Sequence, residues 1–498
     1  MFEGLLDLGW LPLVILGLSL LVALGFEFVN GFHDTANAVA TVIYTNSLPP
    51  NRAVLLSGIC NFCGVFVGGI AVAMAIIHLL PVELLVSGGT GAGLAMVMAL
   101  LVAAILWNLG TWYLGLPASS SHTLIGAILG VGLANSLLPG HVFGSGVNWG
   151  KAEHVGLSLL VSPLFGCALA GLLLLGARRV FRDPALYEAP LEDTPPPTWI
   201  RGTLIATCCG VSFAHGSNDG QKGIGLIMLI LIGVLPANFA LNLAAAPETI
   251  RATVAASEAF EARILGAGIA DVSTADLVTI DRELLPTGGE AHPEGVPAHA
   301  KVPKTAAGAA RMALFHLERM RLLLDGVERV PDLPRGERWS VRESGLRFEQ
   351  AYKALLAQGA LKEGPEAQQD LQALRALTEY APTFVLVLVA LALGVGTMIG
   401  WKRIVVTVGE KIGESHLTYA QGACAEIVAM STVGAAAFAG LPVSTTHVLS
   451  SGIAGTMLAN KSGLQSGTVK KIAMAWVLTL PAAMLMSGLL YLLFRLFV

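Results

Sequence analysis

Long apolar runs alternate with short polar breaks along most of this 498-residue chain. Runs at 53–81, 92–114, 155–177, 381–400 and 472–497 approach or exceed the roughly 20 residues a helix needs to cross a bilayer. Another begins at Leu11 and is broken near its end by His33 and Asp34. One region reads differently. Within 248–379, stretches such as ARMALFHLERMRLLLDGVERV carry apolar residues at helical spacing between charges, the pattern of amphipathic helices around a water-soluble core. The pattern predicts an all-α integral membrane protein of about ten to twelve transmembrane helices with a soluble helical insert.

Composition agrees. The chain is 54% hydrophobic and 13% charged, with mean hydropathy +0.70, against about 25% charged residues in soluble proteins. A net charge of -4 gives no electrostatic footprint for nucleic acid. Nothing before Trp10 is basic, so the first apolar run reads as a retained helix rather than a secretory signal. Six cysteines add little. Cys60 and Cys63 stand one helical turn apart in an apolar run with no second pair to complete a metal site, so packing is the better reading.

The chain repeats itself. Gly31-Phe32-His33-Asp34 lines up with Gly216-Ser217-Asn218-Asp219, and LPASSSH at 116–122 with LPVSTTH at 441–447. Asp34 and Pro117 are 83 residues apart, Asp219 and Pro442 223. The excess falls in 248–379, which holds 36 of the 64 charged residues. The expected organisation is a first membrane repeat at 1–180, an inter-repeat loop at 181–202, the start of a second repeat at 203–247, the insert at 248–379 and the rest of the second repeat at 380–498. Arg178, Arg179, Arg182 and Arg201 flank the loop, while the N-terminus carries Glu3 and Asp7. The positive-inside rule then puts the loop in the cytoplasm and the N-terminus outside, with the second repeat inverted. Secondary transporters are built from such repeats, with the binding site where the repeats meet.

Both copies of the second motif place a proline and a cluster of hydroxyls before a helix too short to span. Serine before a helical run is an N-cap signal, and a helix N-terminus offers free N–H groups to an oxyanion. Two re-entrant hairpins meeting there would surround an anion with donors from Ser119, Ser120, Ser121, Thr123, Ser444, Thr445 and Thr446. The bland alternative is that these hydroxyls only cap their helices. Asp34 and Asp219 would repel an anion, yet a carboxylate at membrane depth is costly and marks function. They make sense as holders of a proton, Na⁺ or a divalent metal such as Mg²⁺ beside the anion, with neutral oxygens from Asn37 and Asn218. His33 adds a protonatable imidazole, and Lys222 supplies fixed positive charge. Asp34 as a simple helix cap is the competing reading.

At these residues the chain resembles the inorganic phosphate transporter (phosphate permease) family. Its duplicated signature GANDVANA appears as GFHDTANA at 31–38 and GSNDGQKG at 216–223, and its hydroxyl-rich hairpins as LPASSSHT and LPVSTTHV. The resemblance covers 20–240 and 381–497, and its details match the bacterial low-affinity branch. It implies inverted repeats, a dimer in the bacterial plasma membrane, and phosphate, or a neutral metal–phosphate complex, carried with protons. The chain departs from the signature where asparagine gives way to His33 and Lys222. In sodium-coupled relatives those asparagines lie near cation sites. A lysine there repels Na⁺ and a histidine adds a protonatable group, so proton coupling is expected over sodium coupling.

Three rivals remain at this level: a sodium-coupled symporter, a permease for sulfate or arsenate, and an uncoupled channel. An intramembrane enzyme fits poorly, because no G-x-S-x-G surrounds a motif serine.

Overall fold

A computed structural model describes residues 9–79, 89–139, 143–144, 146–190, 194–269 and 305–497. Residues 270–304 of the insert therefore lie outside it. Within the described residues the regular structure is helical, with one isolated β-bridge between Gly413 and Leu464. In chain order the helices are α1 (Trp10–Tyr44), α2 (Pro50–Val67), α3 (Ala71–Ile77), α4 (Gly89–Tyr113), α5 (Ser120–Ser136), α6 (Trp149–Val180), α7 (Thr198–Val234), α8 (Pro236–Phe239), α9 (Pro247–Gly266), α10 (Ala306–Leu324), α11 (Arg335–Ala357), α12 (Pro365–Arg375), α13 (Thr383–Thr397), α14 (Lys402–Glu410), α15 (Tyr419–Phe438), α16 (Thr445–Asn460) and α17 (Ser466–Phe494).

The chain forms two compact units, one from Leu16–Val82, Gly91–Ile230 and Ala381–Val498, the other chiefly from Leu231–Tyr380. The second unit is a small helical bundle. Phe260 packs edge-on to Tyr352 and against Phe348, ring centroids 4.9–5.0 Å apart. Leu314, Leu317 and Ile264 complete that core. Buried Arg338 and Arg342 donate to the backbone carbonyls of Ala237, Pro331, Leu333, Ala240 and Thr378, so loop carbonyls that would otherwise be buried without donors are satisfied.

In the first unit, six helices are long and apolar enough to cross a membrane. There are seven if α13 and α14, bent by 65° at their break, form one span. Three further membrane-unit helices fall outside this set for identifiable reasons. α7 is 37 residues long but carries HGSNDGQK through its middle. α5 and α16, of 17 and 16 residues, are too short to span and are almost wholly buried by neighbouring helices.

The halves are cross-packed. α5, from the first half, lies on α17 from the second, and α16, from the second, lies on α6 from the first. Backbone meets backbone at these crossings. A Cβ on Gly130 would collide with the Met484 carbonyl, and one on Gly455 with the Cys167 carbonyl. The same reciprocity explains why both signatures open with glycine. Gly31 abuts the Leu393 carbonyl of α13, and Gly216 abuts the Asn61 carbonyl of α2. Each signature is thus pressed against a helix of the other half, which carries Asp34 and Asp219 into one buried centre.

Candidate functional site

Asp34 on α1 sits where both hairpin helices begin. Thr446, in the first turn of α16, donates to Asp34 Oδ1 at 2.6 Å. Ser120, the first residue of α5, donates to Asp34 Oδ2 at 2.9 Å and approaches Asp219 Oδ2 at 3.4 Å. One serine therefore links the signature carboxylates of both repeats. Asn37 Nδ2 reaches Thr446 Oγ1 at 3.0 Å and Asp34 Oδ1 at 3.3 Å.

Asp219 on α7 has a different partner. Lys222, one turn on, places Nζ 2.6 Å from Asp219 Oδ2 and donates to Ser121 Oγ at 2.6 Å. Ser121 in turn donates to the Val443 carbonyl at 2.8 Å, joining the start of α5 to the loop before α16. Between the carboxylates stands His215. Its Nε2 is 3.4 Å from Asp219 Oδ2 and 3.6 Å from Asp34 Oδ2, and its Nδ1 lies 2.8 Å from Asn61 Oδ1. Asn61 donates onward to Thr397 on α13. All of these side chains are buried.

The expected residues separate into groups. Asp34, Asp219, Asn37, Lys222, Ser120, Ser121 and Thr446 form one hydrogen-bonded cluster. Thr445 is buried beside it with no hydrogen-bond partner for its hydroxyl among the described residues. Ser119 and Ser444 behave as the capping reading describes: their side chains accept from the backbone N–H of His122 and His447. Thr123 likewise bonds its own helix, at the Ser119 carbonyl. Asn218 turns away from the carboxylates and donates to the Leu441 carbonyl. His33 stands at the edge, with Nε2 3.1 Å from Thr111 Oγ1 and Nδ1 3.5 Å from Asp34 Oδ1.

His215 is the central residue that the motif alignment leaves aside. Its signal was present: it lies four residues before Asp219, which puts both on one helix face. Asp34, His215 and Asp219 offer three ligand atoms within 4.8 Å of one another, a donor set that suits a divalent cation. Oxygens of Asn37, Asn218 and Asp219 are buried without a hydrogen-bond donor among the described residues, and unpaired oxygens of this kind suit a hard cation.

The family model described as "Phosphate transporter family" matches residues 30–487, which takes in the whole of this centre. The chain belongs to the phosphate transporter family. It is 44% identical to the low-affinity inorganic phosphate transporter PitA of Escherichia coli K12 and 42% identical to PitB of the same organism. Each alignment covers 95% of this chain and 96% of the relative. A solved structure titled "The sodium-dependent phosphate transporter" superposes with TM-score 0.51 over 97% of this chain and all of its own, at 18% identity, a likeness of fold. The chain is accordingly a multi-pass membrane transporter for phosphate, not an enzyme, and the buried carboxylate centre is part of a phosphate transporter.

Proposed function

We propose that the transporter takes up inorganic phosphate by proton symport, with Asp34 and Asp219 as the coupling groups and the hairpin hydroxyls as the anion ligands. The observation that carries the reading is that Asp34 accepts hydroxyl protons from both hairpins at once. While that carboxylate is charged, Ser120 and Thr446 point their protons at it and cannot offer them to an anion. A proton on Asp34 converts it from acceptor to donor. The two hydroxyls are then free to rotate toward phosphate, and the repulsion between carboxylate and anion disappears. Binding of proton and anion thus reinforce each other, which is the thermodynamic requirement for coupling.

Lys222 balances Asp219, so one carboxylate remains to be neutralised by a carried cation. A phosphate hydroxyl can also donate to a carboxylate, which sulfate at neutral pH cannot do; this favours phosphate over sulfate. Alternating access follows from relative motion of the two repeats, read here as inverted and working as a homodimer in the inner membrane with the N-terminus outside. A second reading rests on the Asp34–His215–Asp219 cluster: phosphate enters as a neutral complex with Mg²⁺ or another divalent metal held there as cargo.

Uptake of radiolabelled phosphate into proteoliposomes tests both. An inward proton gradient should raise the rate in sodium-free buffer. A requirement for sodium would refute the coupling, and competition by sulfate as strong as by arsenate would refute the selectivity. A rise on adding Mg²⁺ that Asp219→Asn abolishes would favour the metal–phosphate reading.

A further inference from the structure

Away from the carboxylate centre, a cavity of about 640 Å³ opens where the end of α4 meets the bend between α13 and α14. Its lining includes Trp112, Tyr113, Trp401, Lys402, Arg403 and Lys411. The walls are built and held. Trp112 Nε1 donates to the Gly400 carbonyl at 2.7 Å, and Thr407 Oγ1 donates to the Gly115 carbonyl at 2.8 Å. Gly115 and Gly400 adopt positive φ (+66° and +74°), which turns both chains into the cavity rim. The Arg403 guanidinium lies 5.2 Å from the Trp112 ring centre and 4.8 Å from that of Tyr113, and donates to the Tyr113 carbonyl at 2.8 Å. That contact uses one of its five N–H groups.

Three cations line this cavity, and none of the ion pairs among the described residues involves them. The nearest acid in sequence, Glu410, lines the adjoining cavity rather than this one. Beside the cations stand exposed Tyr113, Leu114 and Ile399. Aromatics and exposed apolar groups flanking clustered bases are the composition of a membrane–water interface. An adjoining cavity is lined by Tyr44, Pro190, Trp401, Lys402, Glu410 and His416. The bases therefore share a face with the inter-repeat loop, whose Arg201 bonds the Ser47 carbonyl.

We infer that this cavity holds the phosphate of an anionic phospholipid, a site distinct from that of the transported anion. Arg403, fixed by its two rings, supplies the directed donors, Lys402 and Lys411 add charge, and the acyl chains lie along Leu114 and Ile399. Free inorganic phosphate presents the same headgroup chemistry, but it has no use for the apolar flank.

The test uses the full-length transporter in phosphatidylcholine vesicles, with tryptophan fluorescence as the signal. Brominated phosphatidylglycerol should quench more than brominated phosphatidylcholine at equal mole fraction, and Trp401→Phe should remove part of the excess. Each base near an anionic lipid contributes roughly a factor of five, so Lys402→Gln with Lys411→Gln should lower the relative affinity roughly 5- to 30-fold. Lys402→Arg with Lys411→Arg should retain it, which guards against misfolding. Equal quenching by the two lipids, or an excess untouched in the glutamine variant, overturns the site. Reversal by inorganic phosphate beyond that by chloride of equal ionic strength assigns the cavity to the free anion and overturns the lipid.

Discussion

Lys222 is fully buried beside Asp219, and removing it exposes how the centre balances its charges. At 2.6 Å, opposite unit charges attract by about 6 kcal/mol at an effective dielectric of about 20. Most of that is cancelled by the loss of hydration of both ions, so the pair itself contributes little net stability. Breaking it is another matter. Lys222→Met leaves the Asp219 carboxylate buried without its cation and strips a donor from Ser121, a loss of about 3–5 kcal/mol. Asp219→Asn strands the ammonium at similar cost. The double variant Asp219→Asn/Lys222→Met buries neither charge and should recover most of the stability. Reversible unfolding in mixed micelles, followed by fluorescence, measures all four corners of the cycle. A Lys222→Met loss below 1 kcal/mol, or a double variant as unstable as the two singles summed, would refute the charge-pair account. Uptake separates function from folding: if Asp34 alone carries the coupled proton, the refolded double variant should regain part of the proton-driven uptake that either single variant loses.

Four other outcomes follow. Ser120→Ala and Thr446→Ala each remove a proposed anion donor and should raise the apparent KM for phosphate about tenfold, whereas Thr123→Val, which loses only a bond to its own helix, should leave KM unchanged. His215→Gln should lower proton-driven uptake sharply while membrane insertion, followed by fluorescence-detection chromatography, is retained. Gly455→Val forces a side chain into the Cys167 carbonyl across the α6–α16 crossing and should destabilise by at least 1–3 kcal/mol, seen as a lower melting temperature. His316 on α10 is held near pKa 3 by burial, with Arg319 and Arg347 adding to the shift. It is neutral when folded but protonates near pH 6.5 when unfolded, so its contribution is intact above that pH and is lost as pH falls toward 3. About 2 kcal/mol should vanish by pH 5, and His316→Phe should abolish that slope in hydrogen exchange of 306–324, corrected for intrinsic rates.

The duplicated motifs made the centre's membership readable, because each repeat states half of a site and the other copy confirms which positions matter. Asp34 and Asp219, one hydroxyl from each hairpin, and Lys222 were all identifiable in this way. The individual roles were not. A hydroxyl at a helix start can cap the helix or face a ligand, and sequence does not distinguish Ser119 from Ser120; backbone direction does. His215 was obscured because its counterpart, Asn30, is not a titratable group, so duplication gave it no second vote. Span counting was limited by chemistry as well. The segment that carries Asp219 is too polar to register as a span because HGSNDGQK runs through its middle, and the hairpin helices are apolar but short. Hydropathy alone passes over the first, and length alone rules out the second.

The cross-packing bears on how coupling becomes motion. α5 rides on α17 and α16 on α6, so each hairpin is fastened to the opposite half. Asp34 belongs to the first half but is held by Thr446 of the second-half hairpin and Ser120 of the first-half hairpin. Any movement of one half against the other must therefore stretch one of those two bonds. While Asp34 is charged, both bonds are strong, charge-assisted contacts, and the halves are locked through them. In the proposed symport, neutralising Asp34 would weaken both bonds and free the hydroxyls for the anion. The freed hydroxyls then turn to the anion, so movement of the halves is expected with phosphate bound beside a neutral Asp34.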